Sequence, residues 1–411
     1  MTSNQNMYDI LLERGFVRQC TDVAAVKKLF ETEEVAAYIG FDPTAKSLHV
    51  GSLEPIMALM HLEREGHRPI VVVGGGTGLI GDPSGKTEQR KLLTREGLRE
   101  NFDAIRAQLG KFVDFDNGRA VAVDNADWIE PLNYVTFLRD IGKCFSVNRM
   151  LSFEAYKQRM ERGLSFLEFN YQLLQAYDFL VLYQKYGCRL QMGGDDQWGN
   201  IVSGTDLIRR VEGQEAFGLT FPLLTTASGA KMGKTAAGAI WLDGTLLSPY
   251  DYYQYWVNTD DRDVARFLGL FTFLPMDEVQ RLGALEGAEI REAKAVLAYE
   301  ATTICHGKDE AEAARSGAEA AFKGGGDVSD MPTTEMAERD ITALRATELF
   351  VKVGLAASKG QAAKLFKGGG GFVGERQLRD HNETIRLDDF ENGAVLLRAG
   401  KKKRHRVVLK P

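Results

Sequence analysis

The stretch VVVGGGTGLIGDPSGKT, residues 71–87, contains two patterns that proteins use to hold phosphate groups. Gly76, Gly78 and Gly81 fit the G-x-G-x-x-G turn of dinucleotide-binding proteins, which predicts a hydride-transferring enzyme. The letters SGKT, residues 84–87, fit the end of a P-loop, which predicts a nucleoside triphosphatase. The two patterns predict different enzymes, and the surrounding sequence has to decide between them.

The P-loop interpretation fails on spacing. The motif needs a glycine five residues before Gly85, but Ile80 stands there and Gly81 comes one residue late. Asp82 and Pro83 also lie inside the loop, which disfavours a nest of backbone N–H groups around a phosphate.

The dinucleotide interpretation lacks its structural setting. Its glycines follow the second strand of a β-α-β unit, and no acidic residue ends a following strand about 20 positions later. Glu96, Glu100 and Asp103 lie in a polar helical stretch instead. The glycines then indicate a tight turn or a close approach of the backbone. Asp82, at the carboxyl end of a buried strand, stands where open α/β sheets bind ligands.

A second segment with chemical potential is FDPTAKSLHVGS, residues 41–52, which places His49 and Gly51 at the start of a helix. A helix N-terminus has free N–H groups and the positive end of the helix dipole, and both suit a phosphate. Thr44 and His49 add side-chain donors, and Gly51 leaves a flat opening for a base. The alternative is a capped helix start with a surface histidine, and these residues alone do not exclude it.

A third segment is SGAKMGKT, residues 228–235. Lys231 and Lys234 flank Gly233 in a loop between predicted strands, an arrangement typical of a mobile clamp for a polyphosphate. A charged surface turn is the alternative interpretation.

The elements that must position these residues follow from periodicity. Residues 36–41 predict a strand, Leu53, Ile56, Met57 and Met60 predict a helix that ends at Gly66, and RPIVVV predicts a buried parallel strand. Strand, helix and strand form a β-α-β unit, so the fold class is α/β. Further predictions are helices over 95–110 and 151–186, a strand ending in a Gly-rich turn over 188–200, and a mostly helical region over 248–323.

Composition limits the class of protein. The 411 residues are 44% hydrophobic, enough for two or three domains, and no apolar run reaches 18 residues. The four cysteines are far apart and the N-terminal residues lack a secretion pattern, so we expect a protein of the reducing cytoplasm that does not bind a membrane.

The charge of the chain is unevenly distributed. The chain from 341 to 411 has 15 Lys/Arg against 7 Asp/Glu, whereas residues 1–340 have 36 against 50. A basic C-terminal region on an acidic body predicts a polyanionic partner, with a solvated basic face as the alternative.

The pair HVGS and KMGKT resembles the two signatures of class I aminoacyl-tRNA synthetases, His-x-Gly-His and Lys-Met-Ser-Lys-Ser. The segments YIGFDPTAKSLHVGSL, GGGTGLIGDPSGK, YQLLQAYDF and GGDDQWGN narrow the resemblance to the bacterial type of tyrosyl-tRNA synthetase. It covers nearly the whole chain. The implied architecture is a Rossmann-like parallel-sheet catalytic domain over 1–247, a helical domain over 248–323, a linker over 324–340, and a small α+β S4-like RNA-binding domain over 341–411.

Tyr171, Gln175 and Asp178 are spaced i, i+4 and i+7, which puts them on one face of a helix. Such a stripe faces either water or a polar ligand. The resemblance implies a tyrosine site in which Asp178 and Tyr38 bind the phenol hydroxyl, with the other contacts from Tyr171, Gln175, Asp82 and Gln197. Phenylalanine would leave Asp178 and Tyr38 buried and unpaired. Tyrosyl-tRNA synthetases as a group are known for rejecting phenylalanine by about 10⁵ without editing, a value that describes the family and not this chain in particular.

The resemblance also implies an ATP site. Six side chains would stabilise the departing pyrophosphate: Thr44, His49, Lys86, Arg90, Lys231 and Lys234. The nucleotide itself would contact Gly51, Ser52, Gly194, Asp196 and Lys234. Mg²⁺ would arrive with ATP, and we expect no tightly bound cofactor and no protein metal site. Ser52 replaces the last histidine of the first signature, and its shorter side chain reaches less far toward the ribose.

The C-terminal region pairs two short helices with a Gly-rich turn and then strands. Basic residues for contact with tRNA(Tyr) phosphates would be Lys359, Lys364, Lys367, Lys401, Lys402, Lys403 and Arg404. The family is dimeric, so the resemblance implies a homodimer. Two alternatives stay open at this point: a tryptophanyl-type synthetase on the same scaffold, and an RNA-binding protein without catalytic activity.

Overall fold

A computed structural model describes residues 5–82, 94–161, 163–227, 229, 232–235, 238–323, 332–342, 344–391, 393–400 and 403–410. The chain forms two compact units. Unit 1 comprises Met1–Gly233 and Ala265–Gln280, and unit 2 comprises Lys234–Val264 and Arg281–Pro411.

The secondary structure mixes helices and strands throughout. The strands are β1 Gln19–Cys20, β2 Ala36–Phe41, β3 Arg68–Val73, β4 Val121–Asp124, β5 Leu190–Gly194, β6 Phe217–Phe221, β7 Lys234–Thr235, β8 Gly238–Ala239, β9 Thr333–Ala337, β10 Gly371–Val373, β11 Arg376–Leu378, β12 Ala394–Ala399 and β13 Lys403–Lys410. The helices are α1 Met7–Arg14, α2 Val23–Thr32, α3 Leu53–Arg64, α4 Arg95–Leu109, α5 Ala126–Ile129, α6 Tyr134–Asp140, α7 Val147–Ser152, α8 Glu154–Met160, α9 Phe166–Tyr186, α10 Trp198–Glu212, α11 Pro249–Val257, α12 Val264–Phe271, α13 Met276–Gly283, α14 Ile290–His306, α15 Lys308–Lys323, α16 Glu338–Thr342, α17 Ala346–Lys352 and α18 Lys359–Lys367.

Unit 1 is built on a six-stranded sheet in the order β1-β6-β5-β2-β3-β4. The five strands from β2 to β6 run parallel, and β1 is an antiparallel edge. The chain adds β3 and β4 on one side of β2 and then β5 and β6 on the other. The switch point of the topology is therefore between β2 and β5, where open α/β sheets bind ligands at the carboxyl ends of their strands.

The predicted β-α-β unit is confirmed. β2 and β3 pair in parallel with Tyr38 opposite Ile70, and α3 connects them. Both strands are largely buried because helices cover the two faces of a parallel sheet, which explains their continuous apolar sequences. Gly66, which ends the connection, has a φ of +85°.

The predicted helical pattern over 151–186 is confirmed, but the structure divides it into separate helices. Helix α8 ends at Met160, and α9 starts afresh at Phe166. Gly163, with a φ of +96°, turns the backbone out of the helical path, and Ser165 with Glu168 forms a capping box that begins α9. The last 21 residues of the stretch form one helix, and this helix carries the polar stripe.

Unit 2 contains the predicted mostly helical region, except for Ala265–Gln280, which belong to unit 1, and an α+β C-terminal region. Its five-stranded sheet has the order β11-β10-β12-β13-β9. Phe350 of α17 and Phe366 of α18 pack into one core with Leu397 and Val407 of the sheet. Two short helices followed by strands therefore occur as predicted.

The linker prediction over 324–340 needs correction at its C-terminal end. Residues 333–337 form β9, which pairs in parallel with β13, and α16 follows directly. Polar composition suggested a linker, but an edge strand with one neighbour needs few apolar residues. The rest of that segment, 324–331, lies outside the described residues. Within the described chain, we find no helix that is both long and apolar enough for a membrane span.

Candidate active site

The Gly-rich loop after β3 is held by the residues that follow β4. The N–H of Gly75 donates to Oδ1 of Asp124 at 3.1 Å, and the N–H groups of Gly76 and Thr77 donate to Oδ1 of Asn125 at 2.9 and 3.3 Å. These amides are the groups that a phosphate would need, and side chains of unit 1 already occupy them. This geometry agrees with the rejection of both phosphate-binding interpretations.

The glycines of this loop are explained by packing. A Cβ on Gly76 would lie 3.1 Å from Cα of Ala126, and one on Gly78 would lie 2.9 Å from a methyl group of Leu98. Gly81 has a φ of +85°, a conformation that other residues rarely adopt. The loop therefore folds tightly against α4 and α5.

The first signature segment, residues 49–52, begins with a self-capping histidine. Nδ1 of His49 accepts the N–H of Gly51 at 3.0 Å. Since Nδ1 is an acceptor, the neutral ring carries its proton on Nε2. Ser52 makes no side-chain capping bond to α3, and Thr44 is exposed in the loop before it.

Two residues of the second signature segment (231–235), Met232 and Gly233, reach the first segment within unit 1. A Cβ on Gly51 would lie 2.9 Å from the carbonyl oxygen of Met232, and one on Gly233 would lie 2.6 Å from Nδ1 of His49. Gly233 also has a φ of +99°. Glycine is therefore required at both positions for the two segments to meet.

This contact corrects one prediction. We expected Gly51 to leave an opening for a base, but the backbone of Met232 and Gly233 lies beside it. The sequence did not predict this neighbour of Gly51, because the two segments are about 180 residues apart in the chain. Four of the predicted cations are not described: Lys86, Arg90 and Lys231 lie outside the described residues, and so does the side chain of Lys234, whose backbone forms part of β7.

The polar stripe on α9 faces the protein interior, as one of the two interpretations predicted. Tyr171 and Asp178 are buried, and Gln175 is half-buried. Gln175 is also the first member of a hydrogen-bonded chain. Its Oε1 accepts from Nδ2 of Asn200 at 2.9 Å, and the same Nδ2 donates to Oε1 of Gln197 at 3.0 Å.

The chain continues to the loop after β3. Nε2 of Gln197 donates to Oδ2 of Asp82 at 2.8 Å. Three residues predicted for tyrosine binding are thus brought together from α9, the turn after β5 and the loop after β3. Asn200, which joins them, was not predicted.

Asp178 is the most deeply embedded acid of the site, at 3% exposure. Its Oδ1 accepts from Nε1 of Trp128 at 2.7 Å, and its Oδ2 accepts from Nδ2 of Asn125 at 3.0 Å. Burial raises the pKa of Asp178 to about 7, although both N–H donors act in the opposite direction. The expectation that Asp178 would be unpaired without a phenol was wrong, because two donors from the region after β4 reach it.

Tyr38 behaves as predicted. It is 2% exposed, and within the described residues its hydroxyl has no hydrogen-bond partner. Burial, and then the negative charge of Asp178, raise the pKa of Tyr38 well above its usual range. A buried hydroxyl without a partner costs free energy that a polar ligand can recover.

The turn after β5 contains two adjacent acids, Asp195 and Asp196, which make different contacts. Asp195 accepts from Nε2 of Gln19 at 2.6 Å and from Oγ1 of Thr220 at 2.9 Å, which ties β1 and β6 to this turn. The carboxylate of Asp196 lies over Gly194, where a Cβ would come within 2.7 Å of its Oδ1. Both predicted ATP residues therefore lie together at the carboxyl end of β5.

Asn125, Trp128 and Asn200 are the site residues that sequence reasoning missed. The sequence offered a signal for Asn125, because this residue directly follows a short strand whose apolar residues end in a polar one. That strand, β4, ends at the same edge of the sheet as β3. Trp128 and Asn200 lie on helices with no distinctive spacing. Only the order of the strands brings them to Asp178 and Gln197.

Three of the lysines predicted to contact tRNA are exposed on one helix of the C-terminal region. Lys359, Lys364 and Lys367 are exposed on α18, and Nζ of Lys359 pairs with Glu348 at 2.7 Å. Lys403 and Arg404 begin β13. The remaining two predicted lysines, Lys401 and Lys402, lie outside the described residues.

Comparisons with known proteins identify the family of this chain. The family described as tRNA synthetases class I (W and Y) matches residues 31–323. Tyrosine–tRNA ligase of Desulfosudis oleivorans is 53% identical over 98% of this chain and 99% of its own, and that of Clostridium kluyveri is 52% identical over 98% and 100%. The structure of a C-terminally truncated mitochondrial tyrosyl-tRNA synthetase of Aspergillus nidulans aligns with a TM-score of 0.70 and 32% identity, over 78% of this chain and 95% of that one. This chain belongs to the class I tRNA synthetases, within the branch of bacterial-type tyrosyl-tRNA synthetases.

Proposed function

We propose that the site activates L-tyrosine with ATP, releases pyrophosphate, and transfers the tyrosyl group from tyrosyl-adenylate to the 3′ end of tRNA(Tyr). One observation supports tyrosine as the amino acid that the site binds. The hydroxyl of Tyr38 and the carboxylate of Asp178 are both buried, at 2% and 3% exposure, and the hydroxyl has no partner among the described residues.

The phenol of tyrosine satisfies these two groups together. It donates its proton to Asp178, which has lone pairs left after Trp128 and Asn125 are bonded, and it accepts from Tyr38. Phenylalanine has neither capacity and would leave Tyr38 unpaired next to a buried carboxylate. An indole is larger and its N–H only donates, which disfavours tryptophan.

The other end of the substrate would meet the hydrogen-bonded chain described above. Asp82 offers a negative charge for the α-ammonium group, and Tyr171 and Gln175 line the same helix face. Gln197 donates to Asp82 and follows Asp196 in the turn after β5, which supports a role for Gln197 between the amino acid and the nucleotide. We assign the reacting carboxylate to Gln197 and the ribose to Asp196.

Adenylate formation then needs no general base, because the attacking carboxylate is already an anion. It displaces pyrophosphate at the α-phosphate of MgATP, so the protein has to orient the reactants and stabilise charge. Orientation contributes roughly 7–11 kcal/mol in favourable cases. Thr44 and His49 at the helix start, together with Lys86, Arg90, Lys231 and Lys234, are the groups we assign to the pyrophosphate. Gly51, Ser52 and Gly194 are assigned to the nucleoside.

Transfer to tRNA is supported by the charge of the C-terminal region. Residues 341–411 have a net charge of +8, whereas the whole chain has −6. Exposed lysines on α18 suit the phosphate backbone of an RNA, and such contacts weaken with salt. These residues are the proposed tRNA contacts, with Lys401–Lys403 and Arg404.

A homodimer is supported by an apolar surface in unit 1. Seven large apolar side chains between residues 134 and 167 are each at least 38% exposed, including Val135 at 73% and Phe166 at 70%. Large apolar side chains that are exposed in such number within one stretch of chain are typical of interaction sites. We propose that a second copy of the chain covers this surface, and that the enzyme works in the cytoplasm.

The test is amino-acid-dependent ATP–pyrophosphate exchange with purified protein. We expect tyrosine alone among the twenty amino acids to support exchange. Exchange with tryptophan would favour the tryptophanyl alternative. Absence of exchange with every amino acid, combined with retained tRNA binding, would favour an RNA-binding protein without catalytic activity.

A further inference from the structure

Arg266 on α12 contacts the loop that leads to the second signature segment. Its Nη2 donates to the carbonyl oxygen of Thr225 at 2.6 Å. The guanidinium is exposed and lies 5.1 Å from the ring centroid of Phe267, which restricts the directions it can take. A charged donor to a backbone carbonyl fixes the position of the chain at that residue.

Thr225 lies at the neck of this loop. The N–H of Met232 donates to the carbonyl oxygen of Leu224 at 3.0 Å, so the chain leaves and returns at one point. The returning side continues into Met232 and Gly233, the backbone that packs against His49 and Gly51. Arg266 therefore holds the departing side of a loop whose returning side contacts the first signature segment.

Helix α12 is itself fixed to the elements that carry the first signature. Arg14 of α1 donates to the carbonyl oxygens of Gly269, Thr272 and Leu274 at 3.2, 2.9 and 2.6 Å. These bonds cap the C-terminal end of α12.

Two further contacts join the same end of α12 to α3. Phe273 packs against the ring of His61 at 4.8 Å and the guanidinium of Arg64 at 4.2 Å, and both residues belong to α3. Glu54, in the first turn of α3, is buried; burial raises the pKa of its carboxyl group well above the usual range, and the charge of Arg266 acts in the opposite direction. The frame that supports Arg266 is thus the helix that starts at the first signature.

We propose that Arg266 is a positioning residue for adenylate formation: it holds the neck of the second signature loop and thereby keeps Met232 and Gly233 against the first signature segment. This inference rests on the proposed function. Arg266 acts through the loop backbone and contacts no reactant. Tyrosine binding, which uses α9 and the strands of the sheet, should not depend on it.

The experiment compares Arg266→Gln with Arg266→Lys and with the control Arg262→Gln. Arg262 is also exposed and lies four residues earlier, where it pairs with Asp260. For Arg266→Gln we expect kcat of tyrosine-dependent pyrophosphate exchange to fall about tenfold. The Kd of tyrosine without ATP, measured by equilibrium dialysis, should stay within twofold. Arg266→Lys should recover part of kcat because it keeps one charged donor, and Arg262→Gln should equal the wild type.

A second measurement does not depend on activity. Limited trypsin digestion followed by mass spectrometry should show cleavage after Lys231 or Lys234 at least fivefold faster in Arg266→Gln than in Arg262→Gln. Unchanged kcat together with unchanged cleavage would overturn the proposal, and so would an equal loss of tyrosine binding. If the wild type shows no tyrosine-dependent exchange, the proposed function fails, while the cleavage rates still report on the loop.

Discussion

The indole Nε1 of Trp128 lies 2.7 Å from Oδ1 of Asp178 and donates a hydrogen bond to it, 50 residues away along the chain. Asn125 donates to the other carboxylate oxygen and also to Oγ1 of Thr77, at 3.0 and 2.9 Å. The acid that we assign to the phenol is therefore held in one orientation before any substrate arrives. The lone pairs of the Asp178 carboxylate that Trp128 and Asn125 do not use are left for a further donor.

Trp128→Phe tests whether this preorientation matters. The change keeps an aromatic ring but removes a hydrogen bond to a carboxylate, which is worth about 1.5–3 kcal/mol. We expect kcat/KM for tyrosine in pyrophosphate exchange to fall at least tenfold. Trp241→Phe, at a tryptophan of unit 2, serves as the control. Equal values for the two variants would show that the indole bond has no role in substrate binding.

Tyr38→Phe tests the choice between tyrosine and phenylalanine. The variant removes only a hydroxyl that has no hydrogen-bond partner among the described residues, so its stability should be equal to or higher than that of the wild type. The ratio of kcat/KM for tyrosine over phenylalanine should fall roughly tenfold or more, and Asp178→Ala should lower it as well. Unchanged ratios in both variants would refute these two assignments.

The raised pKa of Asp178 predicts that tyrosine binding depends on pH. Since its pKa is about 7, the carboxylate is mostly protonated at pH 6 and mostly ionised at pH 8. Only the ionised form accepts fully from a phenol, so the KM for tyrosine should fall roughly tenfold over this interval. Asp178→Asn should bind more weakly and with little change between pH 6 and 8. The measurement is tyrosine KM at fixed saturating ATP across pH 6–8.

The same shift has a consequence for the stability of the ligand-free protein. The folded pKa of Asp178 is raised above the unfolded value of 3.8. Its contribution to stability is therefore fully present below pH 3.8 and is lost as the pH rises through about 7. The stabilisation of Asp178→Asn relative to the wild type should grow from pH 5 to pH 8. Thermal unfolding at these pH values without tyrosine measures it, and a constant or shrinking difference would contradict the shift.

Gly51→Ala tests the contact between the two signature segments. The added methyl group would lie 2.8 Å from Cε1 of His49 and 2.9 Å from the carbonyl oxygen of Met232, so the segments have to separate. We expect kcat/KM for ATP to fall at least tenfold. Gly97→Ala in α4 is the matched control, because its nearest atom would be an ordinary 3.4 Å away and alanine favours a helix. A wild-type value for Gly51→Ala would mean that the contact is not needed for catalysis.

Changing Lys364 and Lys367 tests whether transfer to tRNA depends on residues that tyrosine activation does not need. The double change Lys364→Gln with Lys367→Gln removes two exposed charges of α18 from the proposed RNA surface. Aminoacylation of tRNA should weaken several-fold in KM for tRNA and become less sensitive to salt, whereas pyrophosphate exchange should not change. Lys308→Gln controls for the loss of surface charge. A loss of exchange activity in the double variant would instead indicate damage to the fold.

The sequence alone determined the local elements and the family. Continuous apolar strands at 36–41 and 68–73, the helix between them, and the i, i+4, i+7 stripe of Tyr171, Gln175 and Asp178 follow from periodicities of two and 3.6 residues. These depend on near neighbours in the chain, which a single sequence displays directly. The paired signatures gave the resemblance for the same reason, because each is a short contiguous motif.

The tertiary structure decided which distant residues share the site. Trp128 and Asn125 reach Asp178 because β4 lies beside β3, and Asn200 joins Gln197 to Gln175 because α10 packs on α9. Gly51 and Gly233 have to be glycine because two segments about 180 residues apart approach to atomic contact. Such proximities depend on the order of strands in the sheet and on how helices pack over it. Local periodicity does not contain that information, so a single sequence could predict the acid at 178 but not the donors that hold it.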